Sequence, residues 1–163
     1  MKFLLSLLAF VIVAESCNTK RHSVDNNTEA LAMKNKNLQN SSDFEIAYRA
    51  STRGVFEYIL ISKDEVMLTE DRNFEKKRFY PTAHEDWKVI DSMVATIDEV
   101  QFVNLEAPTS KRHYDGAAHA TVTIIRGEKE LMTPTFDHGH PPKEIEALVN
   151  KILTIREKLT KQE

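Results

Sequence analysis

Hydrophobic and polar positions alternate with a period of two near the middle of the chain. Phe44, Ile46 and Tyr48 alternate with polar residues, and the run Val55 to Ser62 is rich in β-branched and aromatic residues. Lys63 and Asp64 interrupt the pattern, which resumes from Glu65 to Thr69. A period of two is typical of half-buried strands, so the pattern predicts a meander of three short antiparallel strands.

A helical period follows. Trp87, Ile90, Val94 and Ile97 recur at the spacing of one helix face, and Thr82 with Glu85 matches a capping box. These residues predict a helix that is capped by Thr82 and ends near Asp98. The apolar stretch 100–105 is then expected to be extended.

The second half of the chain repeats this plan. Residues 120–125 and 129–136 predict a hairpin around a turn at Arg126-Gly127-Glu128. Pro141 and Pro142 then open a predicted helix, because proline is tolerated in a first helical turn. Its apolar stripe consists of Ile145, Leu148, Val149, Ile152, Ile155 and Leu159.

These elements predict an α+β fold. Each helix has a single apolar stripe and needs a sheet face to cover it. The expected architecture is a two-layer sandwich in which both helices lie on one face of an antiparallel sheet, in the order β-meander, helix, hairpin, helix. The opposite sheet face would remain partly exposed and available as a binding surface.

The N-terminus predicts export. Lys2 precedes an apolar run from Phe3 to Ala14, which is shorter than the ~20 residues of a membrane-spanning helix. Residues 1–16 are therefore predicted to be a signal peptide. The only cysteine, Cys17, follows the small residue Ser16, as in a lipoprotein signal, although Ala14 stands where leucine is usual. Ordinary cleavage after Ser16 is the alternative, and it would give a secreted or soluble periplasmic protein.

The remaining chain divides into two parts. Residues 17–42 are rich in Asn, Ser, Thr and Lys and predict a lipidated, flexible tether. Residues 43–163 are predicted to form one α+β domain. A single cysteine excludes an internal disulfide. The formal net charge of -3 gives no basic face for nucleic acid, so no nucleic-acid partner is expected.

Candidate chemistry is concentrated at the two ends of the predicted second hairpin, in Arg112, Asp115, Asp137, His138 and His140. Carboxylate and imidazole groups are zinc ligands, so Asp137, His138 and His140 allow a metal-dependent or hydrolytic site. Alternatively, Asp137 or His140 caps the last helix. The preferred hypothesis is an ion-pair cluster, because the two ends of a hairpin meet: Arg112 or Asp115 would lie beside Asp137 and His138. On this hypothesis the protein has no metal and no cofactor.

Several short motifs resemble those of small bacterial envelope lipoproteins to which no activity is assigned. They are the partial lipobox at Cys17, Ala107-Pro108, Arg112, Asp115-Gly116-Ala117, and Phe136-Asp137-His138-Gly139 with Pro141-Pro142. The resemblance implies a location in the cell envelope.

The expected function is that of a non-catalytic binding module, held by its N-terminal lipid on the outer membrane or the periplasmic face. A protein or peptide of the envelope is the expected partner. The alternatives are a small envelope enzyme that uses Asp137, His138 and His140, or an inhibitor of envelope hydrolases.

Overall fold

The computed structural model describes residues 43–161. The predicted signal peptide, the tether and Cys17 lie outside these residues. The described part contains seven strands and two long helices, so the α+β class is confirmed.

All paired strands are antiparallel, and six of them form a continuous sheet in the order β4-β3-β2-β1-β5-β6. The strands are β1 Glu45–Ser51, β2 Phe56–Ile61, β3 Glu65–Thr69, β4 Arg78–Pro81, β5 His119–Arg126, β6 Lys129–Met132 and β7 Phe136–Asp137. The predicted meander is present as β1 to β3, and β5 joins it by pairing along the whole of β1.

The sequence did not predict strand β4. It follows a polar loop and is only four residues long. Pro81 can belong to it because β4 is an edge strand, where a residue without a backbone N–H removes no ladder hydrogen bond.

The predicted strand 129–136 was wrong as a single element. It divides into β6 and β7 at Thr133 and Pro134. Buried Thr133 exchanges two hydrogen bonds with Val122, from its own N–H to the Val122 carbonyl at 2.9 Å and from the Val122 N–H to its hydroxyl at 3.1 Å. The chain then returns to β5 as β7, which places Asp137 opposite His119.

The first long helix, α1, spans His84–Ala95 and buries Trp87, Ile90 and Val94 as predicted. Its predicted cap was wrong. Ala83 is the N-cap residue, and the Thr82 hydroxyl instead donates to the Ser62 carbonyl at 2.9 Å.

The predicted extended stretch 100–105 was also wrong. A short helix, α2 (Glu99–Phe102), begins after Asp98, whose carboxylate accepts a hydrogen bond from the Gln101 N–H at 2.9 Å. A capping side chain of this kind satisfies a backbone donor that the first helical turn leaves free. Its effect outweighs the apolar composition of the segment.

The last helix, α3, spans Glu146–Thr160. It begins later than predicted, because a 3₁₀ turn at Lys143–Ile145 follows Pro142. Neither the turn nor α3 has a side-chain cap, so the predicted capping role of Asp137 or His140 was wrong.

One hydrophobic core joins the strands to the helices. It contains alternate strand residues, among them Ile46, Tyr48, Ile59, Ile61 and Val122, together with residues of α1 and α3. Because neighbouring strand residues point to opposite faces, the residues between these core residues lie on the other face of the sheet. Within residues 43–161, no helix is long and apolar enough to cross a bilayer.

Candidate functional site

The carboxylate of Asp137 is the most enclosed polar group of the five candidate residues, which are Arg112, Asp115, Asp137, His138 and His140. Its side chain is fully buried and accepts four hydrogen bonds. Oδ2 accepts from the Thr109 hydroxyl at 2.5 Å and the Lys111 N–H at 2.7 Å. Oδ1 accepts from the backbone N–H and the guanidinium of Arg112, both at 3.0 Å. A carboxylate offers about four acceptor positions, so these donors saturate it.

Two distant segments build this arrangement. Pairing with β5 fixes Asp137 in β7, while a 3₁₀ turn at Lys111–Tyr114 directs two consecutive N–H groups at its carboxylate. The Arg112 guanidinium also donates to the Thr109 carbonyl at 2.6 Å, which holds the loop before the turn. The Asp137 carboxylate therefore ties residues 109–112 to the end of the second hairpin.

Hydrogen bonding determines the charge state of this carboxyl group. Burial alone would raise the pKa of Asp137, because it disfavours the charged form. The donors from Thr109, Arg112 and Lys111 outweigh burial and hold the pKa well below its usual range. Asp137 is therefore a carboxylate at neutral pH.

His138 is exposed, but its ring contacts a buried side chain. Its Nδ1 lies 2.7 Å from the hydroxyl of Tyr48, a fully buried residue 90 positions earlier in the chain. Burial, followed by the charge of Glu57, raises the pKa of the Tyr48 hydroxyl, so this group stays protonated at neutral pH. The His138 N–H also donates to the Ala118 carbonyl at 2.9 Å. Together these contacts fix the position of the imidazole ring.

His140 lies apart from His138. Its Nε2 is 3.3 Å from the Lys111 ammonium nitrogen, and its backbone N–H donates to the Asp137 carbonyl at 2.9 Å. The turn between them requires Gly139, whose φ of 82° is strained for other residues. The three side chains of the suggested metal set thus have different partners. Among residues 43–161, no group of three or more His, Cys, Asp or Glu residues is arranged to hold a metal ion.

Asp115 does not contact Asp137. It ends the 3₁₀ turn in a left-handed conformation with φ 58°, and its side chain is exposed. It lines a shallow depression with Thr52, Arg72 and His119. Of the two partners suggested for Asp137, the structure places Arg112 in contact with it and Asp115 away from it.

A polar cleft beside His138 was not found from the sequence. It has a volume of about 590 Å³ and lies between the β1–β2 turn and α3. Glu57 Oε1 lies 2.7 Å from Arg156 Nε, and Arg156 Nη2 lies 3.8 Å from Glu70 Oε1. Glu57 Oε1 has no hydrogen bond within the described chain, so its close contact with Arg156 is an ion pair whose N–H is not aimed at the oxygen. Glu57 and Arg156 are 99 positions apart, and no sequence pattern links them.

A scan of the chain against protein-family models and a search of curated proteins both find no match. Interpretation of the site therefore depends on its geometry. That geometry gives Asp137 a set of structural donors and leaves its carboxylate no free acceptor position for a ligand.

The Asp137 contacts predict a graded loss of stability. Thr109→Val removes a hydrogen bond to a charged group, which we expect to lower the free energy of unfolding by about 1.5 kcal/mol or more. Asp137→Asn should lower it further, because the amide cannot accept from all four donors. Chemical denaturation followed by circular dichroism measures both. Asp115→Asn is the matched control, and we expect it to change stability by less than about 0.5 kcal/mol. Losses below about 0.5 kcal/mol for both Thr109→Val and Asp137→Asn would show that the Asp137 contacts do not stabilise the fold.

The low pKa of Asp137 also predicts a pH dependence. A carboxyl group whose pKa is lower in the folded state contributes stability above its unfolded pKa of about 3.9, and this contribution is lost as the pH falls toward the folded pKa. The stability difference between the parent protein and Asp137→Asn should thus be constant from pH 6 to 8 and shrink below about pH 4. Denaturation series at pH 7 and pH 3 measure it. A difference that is unchanged at pH 3 would contradict this assignment.

Proposed function

We propose that the protein is an exported, lipid-anchored, non-catalytic binding module of the bacterial cell envelope. The signal-like N-terminus and Cys17 support the export and the anchor. Four donors saturate the Asp137 carboxylate, which supports a structural role for Asp137 and for Arg112. The binding surface that we propose is the sheet face opposite the core.

The proposal includes a two-layer arrangement in which α1 and α3 cover one sheet face. Its support is the composition of the core, which combines helix residues with strand residues of one alternation only. Strand residues of the other alternation, among them Ala47, Leu60 and Met67, do not belong to this cluster, although Ala47 and Met67 are themselves buried. We call the sheet face that bears them the open face.

One observation carries the binding role. On the open face, a row of residues in direct register crosses all six strands, and we call it the apolar row: Phe79, Met67, Leu60, Ala47, Thr123 and Met132. Phe79 and Met132, at its two ends, are 56% and 57% exposed. Five of the six residues are hydrophobic. Leu60 and Thr123 are half-buried, and Ala47 and Met67 are buried, so the accessible apolar area of the row lies mainly at its two ends. Exposed apolar residues on one surface are typical of protein-interaction sites.

The aromatic residues beside the row define one boundary of this surface. Phe74, in the β3–β4 loop, packs edge-on against Phe56 and Tyr58, with ring centroids 5.7 Å and 5.0 Å apart. The guanidinium of Arg49 lies 5.5 Å from the centroid of the Phe56 ring. This packing covers part of the open face and leaves the apolar row beside it.

Lipid attachment predicts a specific label. In bacteria that express the full chain and are fed radioactive palmitate, we expect the protein to carry the label and to fractionate with membranes. Cys17→Ser should abolish the label, since it removes the only thiol in the chain. Ser16→Ala, the control, should keep it. If the parent protein carries no label and mass spectrometry shows that its mature N-terminus is an unmodified Cys17, the chain is cleaved by an ordinary signal peptidase and has no lipid anchor.

The binding role predicts a site-specific contact in the cell. A photo-crosslinking amino acid at Thr123, in the middle of the apolar row, should give a discrete adduct in the bacterium that encodes the protein. The double variant Phe79→Ser/Met132→Ser should abolish the adduct, and exposure of both side chains leaves folding little affected. A crosslinker at the exposed residue Glu106 is the control and should give no adduct. Without an adduct at Thr123, the open face would not be the binding surface.

A further inference from the structure

The two sides of the apolar row carry opposite charges. On one side, the register aligns Glu45 with Ile125 and Ile125 with Glu130, and Glu65 lies opposite Pro81 on the same face. All three glutamates are exposed. Within residues 43–161, none of them forms an ion pair with a lysine or arginine. This end of the open face is therefore an uncompensated acidic margin.

On the other side of the row, the register aligns Thr69, Tyr58, Arg49 and Thr121. Arg49 is the charged member of this line and is exposed. The charge on the open face thus changes from negative to positive along the strand direction, with the apolar row between the two margins.

The ionisation of Tyr58 supports this distribution independently. Burial raises the pKa of its hydroxyl, and the charges of Glu45 and Glu130 raise it further. Arg49 opposes them and lowers it. The charges of Glu45 and Glu130 therefore act on the Tyr58 hydroxyl across the apolar row.

The length of the row limits what can occupy it. Six strands at about 4.8 Å spacing give a row of about 24 Å. A helix of about 16 residues has this length. Anionic lipid headgroups and nucleic acid phosphates would be repelled by the acidic margin, whereas lysine and arginine side chains would be attracted to it.

We propose that the open face binds an amphipathic polypeptide segment whose apolar side chains lie along the apolar row and whose lysine or arginine side chains face Glu45, Glu65 and Glu130. This inference rests on the proposed binding function and specifies the partner. Buried apolar contacts along the row supply affinity, and the charged margins fix the orientation of the segment.

The test uses two 16-residue helical peptides with the same apolar stripe, one flanked by lysine on the acidic-margin side and the other by glutamate. Binding to the processed full chain in zwitterionic lipid nanodiscs is measured by fluorescence anisotropy, with empty nanodiscs as the blank. We expect the lysine peptide to bind at least about tenfold more tightly than the glutamate peptide, and its affinity to fall with added salt.

Variants of the protein locate the contact. Glu45→Lys/Glu130→Lys should weaken binding of the lysine peptide by about tenfold or more and strengthen binding of the glutamate peptide. Glu106→Lys/Glu146→Lys makes the same charge change at exposed residues outside the sheet, and it should leave the preference unchanged. Unaltered circular dichroism of each variant shows that folding is retained.

The outcomes separate this inference from the proposed function. Equal binding of the two peptides, or no binding of either, overturns the inference; a crosslinked adduct at Thr123 would still support a binding function for the face. A concentration-dependent mass that Phe79→Ser/Met132→Ser abolishes would instead assign the face to a second copy of the chain. Tighter binding of both peptides after Leu31→Asp/Met33→Asp would assign the face to the chain's own tether, residues 17–42. Either result overturns the inference.

Discussion

A buried carboxylate must be matched by donors, and Asp137 shows how that requirement organises this domain. A charge removed from water is costly unless hydrogen bonds and an opposite charge replace its hydration. Here the donors come from Thr109, Lys111 and Arg112, in a loop that has no regular secondary structure apart from one 3₁₀ turn. Asp137 can remain buried only when that loop is in place, so one side chain couples the position of the loop to closure of the second hairpin.

The same interaction determines the surroundings of the neighbouring residues. Asp137 is fixed in β7, and the ring of the next residue, His138, therefore contacts the hydroxyl of buried Tyr48. The turn at Gly139 then directs His140 toward Lys111. The side chains of Asp137, His138 and His140 thereby have different partners, although the backbones of Asp137 and His140 are hydrogen-bonded. These different partners are why a run of Asp and His residues that resembles a metal-ligand set stabilises the fold instead.

Strand register accounts for the second organising feature. Each residue of β1 from Ile46 to Ser51 has a fixed neighbour on β2 and on β5, so the order of residues in one strand fixes which residues align across the sheet. A shift of one residue would move Ala47 to the core face and Tyr48 to the open face. The contact between buried Tyr48 and His138 requires the observed register, and that register also aligns the apolar row and its charged margins. The core and the proposed binding surface are thus determined together.

The sequence predicted the elements whose signals are local. The strands β1 to β3, the buried stripe of α1 and the α+β class follow from the hydrophobic period over a few residues. Short elements whose formation depends on contacts elsewhere were missed or misassigned. Strand β4 exists because β3 offers it a pairing edge, and the break after Met132 depends on the hydrogen bonds between Thr133 and Val122. The predicted capping box at Thr82 did not form: the helix begins after Ala83, and the Thr82 hydroxyl donates to the Ser62 carbonyl.

The candidate site divides in the same way. The sequence by itself singled out Arg112, Asp115, Asp137, His138 and His140, since charged and imidazole groups beside glycines and prolines mark the ends of the second hairpin. Only the tertiary structure decided which of them meet. It brought Arg112 and Thr109 to Asp137, left Asp115 exposed, joined His138 to Tyr48 and placed Glu57 against Arg156. Residue types and periods are properties of neighbouring positions, whereas the partners of a buried polar group come from segments 25 to 99 positions away that only the folded sheet brings together.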